Sequence, residues 1–189
     1  MGGAAFRDAG TDYYNPDEAS RLIRKANPAL TVPQANSLAW HQGRRLLERA
    51  IDERLDFAFE TTLGAATIPR LLEQAADRGA ALRIWYVGLE SVDLHIARVR
   101  ARVRRGGHDI PEVDIRRRYE TSRLNLVHLL PKLEALRVYD NSVEADPARG
   151  IPEPKLVLHM KNGRIVEPDD LSATPPWAKA IVAAALRLR

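Results

Sequence analysis

The chain has 189 residues, of which 45% are hydrophobic and 29% are charged, and its formal net charge is +4. This length and composition fit one domain with a short extra segment. No apolar run reaches the ~18 residues of a membrane span. The absence of cysteine excludes disulfides and thiolate metal sites. The N-terminus lacks the pattern of a secretory signal, so we expect a cytoplasmic protein.

Two helices are predicted after a short strand at residues 12–15. Asn15 stands before Pro16, so the asparagine caps a helix that begins at the proline. Thr31 and Gln34 repeat this start signal for a second helix, and apolar residues continue from there at helical spacing.

Strands and helices then alternate along the chain. Residues 57–62 (FAFETT) are predicted as a strand with a polar end, followed by a helix. Residues 81–89 are apolar almost throughout, which is typical of a strand covered on both faces. Ser91 caps a helix that runs to Gly106, another helix follows, and residues 136–142 form the last predicted core strand.

This alternation predicts an α/β fold in which a parallel sheet lies between helix layers. We assign residues 1–142 to this domain and the proline-containing residues 143–154 to a linker. Residues 155–189 are predicted as a small appendage, made of a hairpin that turns at Asn162-Gly163 and a C-terminal helix.

Polar residues follow three of the predicted strands. Asn15 and Asp17 follow the first strand, Glu60 and Thr61 the second, and Asn141 the last. Ligands of open α/β sheets bind at the carboxyl ends of strands, so these residues should face one cleft. Asp17 either accepts a proton from a substrate hydroxyl or only favours the first helical turn. Glu60 either binds substrate hydroxyls or a magnesium-bound water, or ends a strand in solvent.

A dense group of arginines indicates phosphate binding, because the guanidinium group matches phosphate oxygens. Its members are Arg98, Arg100, Arg102, Arg104, Arg105, Arg116, Arg117 and Arg118. The phosphate could belong to a nucleotide or to a nucleic acid, and one face of the arginine helix could be solvated surface. The break at Gly106-Gly107-His108 predicts the hinge of a lid. The five histidines lack metal-ligand spacing, so no metal site is predicted.

Four segments, in this order, resemble the zeta-toxin-like family of P-loop kinases: YYNPDE, FAFETTL, IARVRARVRRGGHDIPEVDIRRRYETSRLNL and YDNS. The resemblance covers residues 8–142. It implies a three-layer P-loop NTPase-like fold and a kinase that uses ATP and magnesium. Its acceptor would be a hydroxyl of a sugar nucleotide such as UDP-N-acetylglucosamine.

The resemblance also implies roles for individual residues. Asp17 corresponds to the general base, and Asn15, Glu60 and Thr61 would bind the sugar nucleotide. The catalytic arginine roles would fall to Arg102 and Arg118. The residues expected at the phosphates are Arg98, Arg105, His108, Arg117 (which could also replace Arg118) and Asn141.

The sequence contains no G-x-x-x-x-G-K-S/T loop, which in the family holds the ATP phosphates. We expect that the chain begins after the strand and loop concerned, and that its ATP binding and kinase activity are impaired. Two alternatives remain open. One is a nucleic-acid-binding protein, which the scarcity of aromatic residues near the arginines disfavours. The other is a non-catalytic protein that binds a partner such as an antitoxin.

Overall fold

The computed structural model describes residues 12–107, 109–143 and 153–188. They form a mixed α/β fold, as the sequence predicts. The chain divides into two compact units. The first region ends at Thr62 and the second region begins at Leu63. Within the described residues, no helix has the length and apolarity needed to cross a membrane.

The first region contains a pair of parallel strands and two helices. The strands are β1 (Asp12–Tyr14) and β2 (Phe57–Phe59), and the helices between them in sequence are α1 (Pro16–Ala26) and α2 (Val32–Glu53). This order confirms the prediction that a strand, two helices and a second strand follow one another in this part of the chain.

Side-chain caps begin both helices as predicted. The Asn15 side chain accepts hydrogen bonds from the first turn of α1. Thr31 and Gln34 form a complete capping box at α2. Such a cap stabilises a helix by about 1 kcal/mol, because it satisfies N–H groups that have no partner within the helix.

Tyr14 attaches β1 to α2 in the core of the first region. Its hydroxyl donates a hydrogen bond to the carbonyl oxygen of Ala39 at 2.6 Å. Its ring lies against Gly43, where an added Cβ would be 2.6 Å from the Tyr14 Cε1 atom. A glycine within a helix costs ~1 kcal/mol relative to alanine, and here it allows the tyrosine ring to approach the helix backbone.

The second region contains a sheet with the strand order β3-β4-β5-β6. The strands are β3 (Leu82–Gly88), β4 (Leu133–Asp140), β5 (Lys155–Lys161) and β6 (Arg164–Glu167). β3 and β4 are parallel, whereas β5 and β6 each run antiparallel to the preceding strand. The helices are α3 (Thr67–Asp77), α4 (Val92–Arg104), α5 (Glu112–Leu129) and α6 (Lys179–Leu186).

The C-terminal hairpin belongs to this sheet, which differs from the appendage expected for residues 155–189. β5 pairs with β4, and Leu158 and Met160 are fully buried. α6 packs against α5, and its Ile181 and Ala185 are also fully buried. The hairpin signal in the sequence is local, so it predicts the turn but not the side of β4 to which the hairpin adds.

β3 is less covered than its apolar sequence predicts. Trp85 is 42% exposed and Val87 is 55% exposed, whereas Ile84 and Tyr86 on the alternate face are partly buried. The guanidinium carbon of Arg137 on β4 lies 6.0 Å from the centre of the Trp85 ring. An apolar strand is compatible with burial on both faces, but only its neighbours decide whether both faces are covered.

Candidate functional site

The carboxyl ends of β1 and β2 bring two of the predicted site residues together. Tyr14 is paired with Phe59, so the next residues, Asn15 and Glu60, are neighbours. The Glu60 N–H donates to the Tyr14 carbonyl oxygen at 3.0 Å, which extends the strand pairing by one hydrogen bond. The Asn15 amide nitrogen donates to Oε2 of Glu60 at 2.8 Å. The parallel pairing therefore creates the contact between these two side chains.

Tyr13 is a third member of this cluster, and sequence reasoning missed it. Its hydroxyl donates a short hydrogen bond to Oε1 of Glu60. Burial and the Glu60 carboxylate raise the pKa of Tyr13 to about 12, so the phenol remains a neutral donor at physiological pH. Tyr13 and Asn15 are two residues apart, and residues at this spacing lie on one face of a strand. That spacing is the signal that could have identified it.

Asn15 also connects Glu60 to the start of α1. Its Oδ1 atom accepts hydrogen bonds from the backbone N–H groups of Asp17, at 2.8 Å, and Glu18, at 3.1 Å. Asp17 and Thr61 are exposed at the beginning of α1 and after Glu60, respectively. The Tyr13–Asn15–Glu60 cluster is therefore an exposed carboxylate held by two neutral donors. The remaining lone pairs of the Glu60 carboxylate can accept hydrogen bonds from hydroxyl groups.

Arg98 and Asn141 are brought together in the second region. The Arg98 guanidinium donates to the carbonyl oxygens of three successive residues after β4. These are Asn141 at 2.7 Å, Ser142 at 3.3 Å and Val143 at 3.1 Å. The contact with Asn141 involves its backbone, so Arg98 holds this loop against α4. Burial, followed by the charges of Arg102 and Arg98, lowers the pKa of His95 on the same helix.

A second network joins the carboxyl ends of β3 and β4. Asp140 Oδ1 accepts hydrogen bonds from the Ser142 backbone N–H, at 2.9 Å, and from the Ser142 hydroxyl. The Ser142 Oγ atom in turn accepts a hydrogen bond from the Glu90 N–H at 2.8 Å. The sequence predicts polar residues at the end of β4. Their contact with Glu90, which follows β3, depends on the pairing of the two strands.

Several other arginines are in ion pairs with acidic residues of the same region. Arg100 and Arg116 contact Glu112 at 3.0 Å and 2.7 Å, and Arg117 contacts Asp114 at 2.6 Å. The hydrogen bond from Arg116 is the main reason that the pKa of Glu112 is lowered. Such exposed pairs each contribute only about 0–1 kcal/mol, so a phosphate could displace the carboxylates at low cost.

The remaining predicted arginines have different surroundings. Arg118 packs on Gly64, where an added Cβ would be 2.8 Å from the Arg118 Cγ atom. An added Cβ at Gly107 would be 2.7 Å from the Cγ atom of Arg102. Arg105 is exposed at the end of α4. His108 lies outside the described residues.

α5 also fixes the loop that begins the second region. Thr121 Oγ1 donates to the carbonyl oxygen of Gly64 at 2.8 Å, and the Asn125 amide donates to that of Leu63 at 2.7 Å. Leu63 is buried and has a positive φ of 54°, a conformation that is uncommon for leucine. Sequence reasoning missed these contacts because they join residues that are far apart in the chain.

The described residues include no group of three or more His, Cys, Asp or Glu residues that could hold a metal ion. Arg98 is engaged by backbone carbonyls and Arg117 by Asp114. The sequence also lacks the glycine-rich lysine loop that cradles nucleotide phosphates.

The fold and the cluster define a mixed α/β protein with a carboxylate–amide site at the ends of two parallel strands. Over 113 residues the chain is 30% identical to an uncharacterized protein of Haemophilus influenzae. The match covers 60% of this chain and 78% of that protein. The chain belongs to the same protein family as this Haemophilus influenzae protein. No family model and no solved structure matches the chain.

Proposed function

We propose that this chain carries the acceptor-binding part of an ATP-dependent small-molecule kinase of the zeta-toxin type, with a three-layer P-loop-like fold. The acceptor is a hydroxyl of a sugar nucleotide such as UDP-N-acetylglucosamine. Because the sequence has no phosphate-binding loop, this chain binds ATP weakly and is impaired in phosphoryl transfer. The resemblance of four ordered segments to that family supports this proposal.

The observation that carries the proposal is the geometry around Glu60. Tyr13 and Asn15 each bind one oxygen of this carboxylate, and both are neutral donors that leave its charge in place. The side chain is also exposed. A carboxylate held in this way can accept hydrogen bonds from sugar hydroxyls without first moving into a new rotamer. The protein therefore avoids part of the entropic cost of ordering its site when the ligand binds.

Asp17 is the proposed general base. It lies in the first turn of α1, and its backbone N–H is bound by the same Asn15 that holds Glu60. In any form of the protein that transfers phosphate, Asp17→Asn should lower kcat by about a hundredfold or more. A change in KM alone would make Asp17 a binding residue instead.

Calorimetry with UDP-N-acetylglucosamine tests the acceptor site. Glu60→Gln replaces one carboxylate oxygen with an NH₂ group, which cannot accept the hydrogen bonds of Tyr13, Asn15 and a ligand. We expect this change to weaken binding by about tenfold or more. Asp56→Asn, an exposed acid-to-amide change just before β2, is the matched control and should bind as the unchanged protein does. Equal affinities for the Glu60 variant and the unchanged protein would contradict the assignment.

A second titration with ATP and magnesium tests the donor side separately. Micromolar affinity for ATP would contradict the expected weak binding, but it would not contradict the proposed acceptor site. Tight, strongly salt-dependent binding of DNA would instead favour the nucleic-acid alternative. The scarcity of aromatic residues near the arginines of α4 and α5 disfavours that alternative. Binding of an antitoxin remains a prediction.

A further inference from the structure

Each oxygen of the Glu60 carboxylate has one hydrogen-bond donor and room for another. A carboxylate has about four lone-pair positions, two on each oxygen. Among the described residues, Oε1 accepts a hydrogen bond from the Tyr13 hydroxyl and Oε2 accepts one from the Asn15 amide. One position therefore remains on each oxygen. The side chain is exposed, so a ligand can reach both positions.

The donors of the cluster are directed at the cluster itself. Oδ1 of Asn15 accepts from the N–H groups of Asp17 and Glu18, and a backbone N–H can only donate, so the NH₂ end of the amide faces Glu60. Burial is the main reason that the pKa of Tyr13 is raised, and a hydrogen bond from the Asn15 side chain opposes that rise. What the cluster offers to a ligand is therefore two acceptor positions, one on each oxygen of Glu60.

The parts of a sugar nucleotide differ in how well they match two acceptors on one carboxylate. A phosphate group carries the same charge as Glu60 and offers few donors, so it is repelled. A uracil ring or an acetamido group has a single N–H and fills one position at most. Two hydroxyl groups on adjacent ring carbons supply two donors side by side, and both the ribose and the hexose have such a pair.

We propose that the Tyr13–Asn15–Glu60 cluster binds a vicinal diol, with one hydroxyl group donating to each oxygen of Glu60. The inference rests on the proposed function, because that function supplies a ligand with hydroxyl groups. Tyr13 and Asn15 hold the carboxylate in place from either side, so both oxygens are presented to the ligand together. Hydrogen bonds to a charged acceptor are stronger than those between neutral groups, so both hydroxyl groups contribute to affinity.

Calorimetry of the protein with matched pairs of ligands tests the proposal. UDP and dUDP differ in one hydroxyl of the ribose diol. N-acetylglucosamine 1-phosphate and its 4-deoxy analogue differ in one hydroxyl of the hexose diol. We expect one of the two deoxy ligands to bind about tenfold or more weakly than its parent, because a hydrogen bond to a charged group is lost. The pair that shows this difference identifies the ring that Glu60 binds.

Glu60→Gln checks that the difference arises at this carboxylate. The change replaces one acceptor oxygen with an NH₂ group, so the preference for the diol over its deoxy analogue should disappear. Asp56→Asn is the matched control and should keep the preference, since Asp56 is an exposed acid outside the cluster. Circular dichroism shows whether each variant is folded, and the comparison of ligands with the unchanged protein needs no variant.

The outcomes separate this inference from the proposed function. Binding of UDP-N-acetylglucosamine with equal affinities inside both ligand pairs would overturn the vicinal diol but not the acceptor site. Diol-dependent binding of UDP without binding of UDP-N-acetylglucosamine would support the diol and contradict the proposed acceptor. If no ligand binds, both are wrong.

Two further results would overturn the diol. A preference that persists in Glu60→Gln would place the diol on other residues. A guanidinium group also has two parallel N–H donors that match a carboxylate. If free arginine binds more tightly than either diol parent and Glu60→Gln abolishes its binding, the cluster is a site for a cation.

Discussion

Glu60 in the first region and Arg98 in the second both lie at the polar end of a strand or beside it, but they are held by different kinds of partner. The Glu60 carboxylate is bound by the side chains of Tyr13 and Asn15. The Arg98 guanidinium is bound by three backbone carbonyl oxygens of residues 141–143. The first arrangement is exposed, whereas the hydrogen bonds from Arg98 to Asn141 and Ser142 are partly buried.

This difference indicates which region is better suited to bind a ligand. Side chains that hold an exposed carboxylate can rotate and share it with a ligand at small cost. If Arg98 turned to a ligand, the carbonyl groups of Asn141, Ser142 and Val143 would lose their donor. The first two hydrogen bonds are partly buried, and leaving a buried polar group unsatisfied costs about 1–3 kcal/mol. We therefore infer that the strand ends of the first region offer the ligand site, while Arg98 mainly maintains the fold of the second.

The largest expected effect concerns the C-terminal helix. Ile181→Ala should lower the free energy of unfolding of the second region by about 2–5 kcal/mol, because Ile181 is fully buried and the change leaves a cavity. Urea unfolding measures this. Leu186→Ala, at a partly exposed position of the same helix, is the control and should cost much less. If Ile181→Ala and Leu186→Ala lowered the unfolding free energy by the same small amount, residues 155–188 would be an appendage.

The next effect tests the backbone contacts of Arg98. Arg98→Met keeps much of the aliphatic length but removes the donors to three carbonyls, and should cost about 1.5–3 kcal/mol of unfolding free energy. Arg104→Met is the matched control on the same helix, because Arg104 is exposed. Its effect should stay within about 0.5 kcal/mol. If Arg98→Met costs no more than this control, Arg98 would be available for a ligand.

Glu60→Gln should have a smaller effect on stability. It disturbs hydrogen bonds that are exposed, so we expect a loss of at most about 1 kcal/mol. Urea unfolding of this variant and of the control Asp56→Asn measures the loss. The combination of a small stability loss with a clear loss of sugar-nucleotide binding would separate a ligand site from a structural contact. If Glu60→Gln lowered the unfolding free energy more than Arg98→Met does, Glu60 rather than Arg98 would be the structural contact.

The smallest effect is a pH dependence in the second region. The folded protein lowers the pKa of His95 from its usual 6.5, mainly through burial and then through Arg102 and Arg98. The unfolded chain therefore binds the proton more readily, so stability should decrease as pH falls through 6.5. His95→Gln should flatten this decrease as pH falls below about 6.5. If stability depended on pH in the same way in His95→Gln and in the unchanged protein, the lowered pKa of His95 would be contradicted.

The first region shows how far local signals predict the candidate site. Asn15-Pro16 and Thr31 with Gln34 predict both helix starts, since a cap depends on residues that are adjacent in sequence. The polar end of β2 marks Glu60 as a candidate. Neither signal predicts that Tyr13 and Asn15 bind Glu60, because that contact depends on the pairing of β1 with β2.

The sequence alone therefore determined the helix starts, the alternation of strands and helices, and the residue types at the strand ends. Each of these depends on interactions within a few residues. The tertiary structure decided that β5 adds to β4, that β3 keeps an exposed face, and that Arg98 binds backbone carbonyls. These features depend on which strands and loops meet after folding. A hydrogen bond between residues 43 positions apart, such as that from Arg98 to Asn141, leaves no periodic pattern in the sequence.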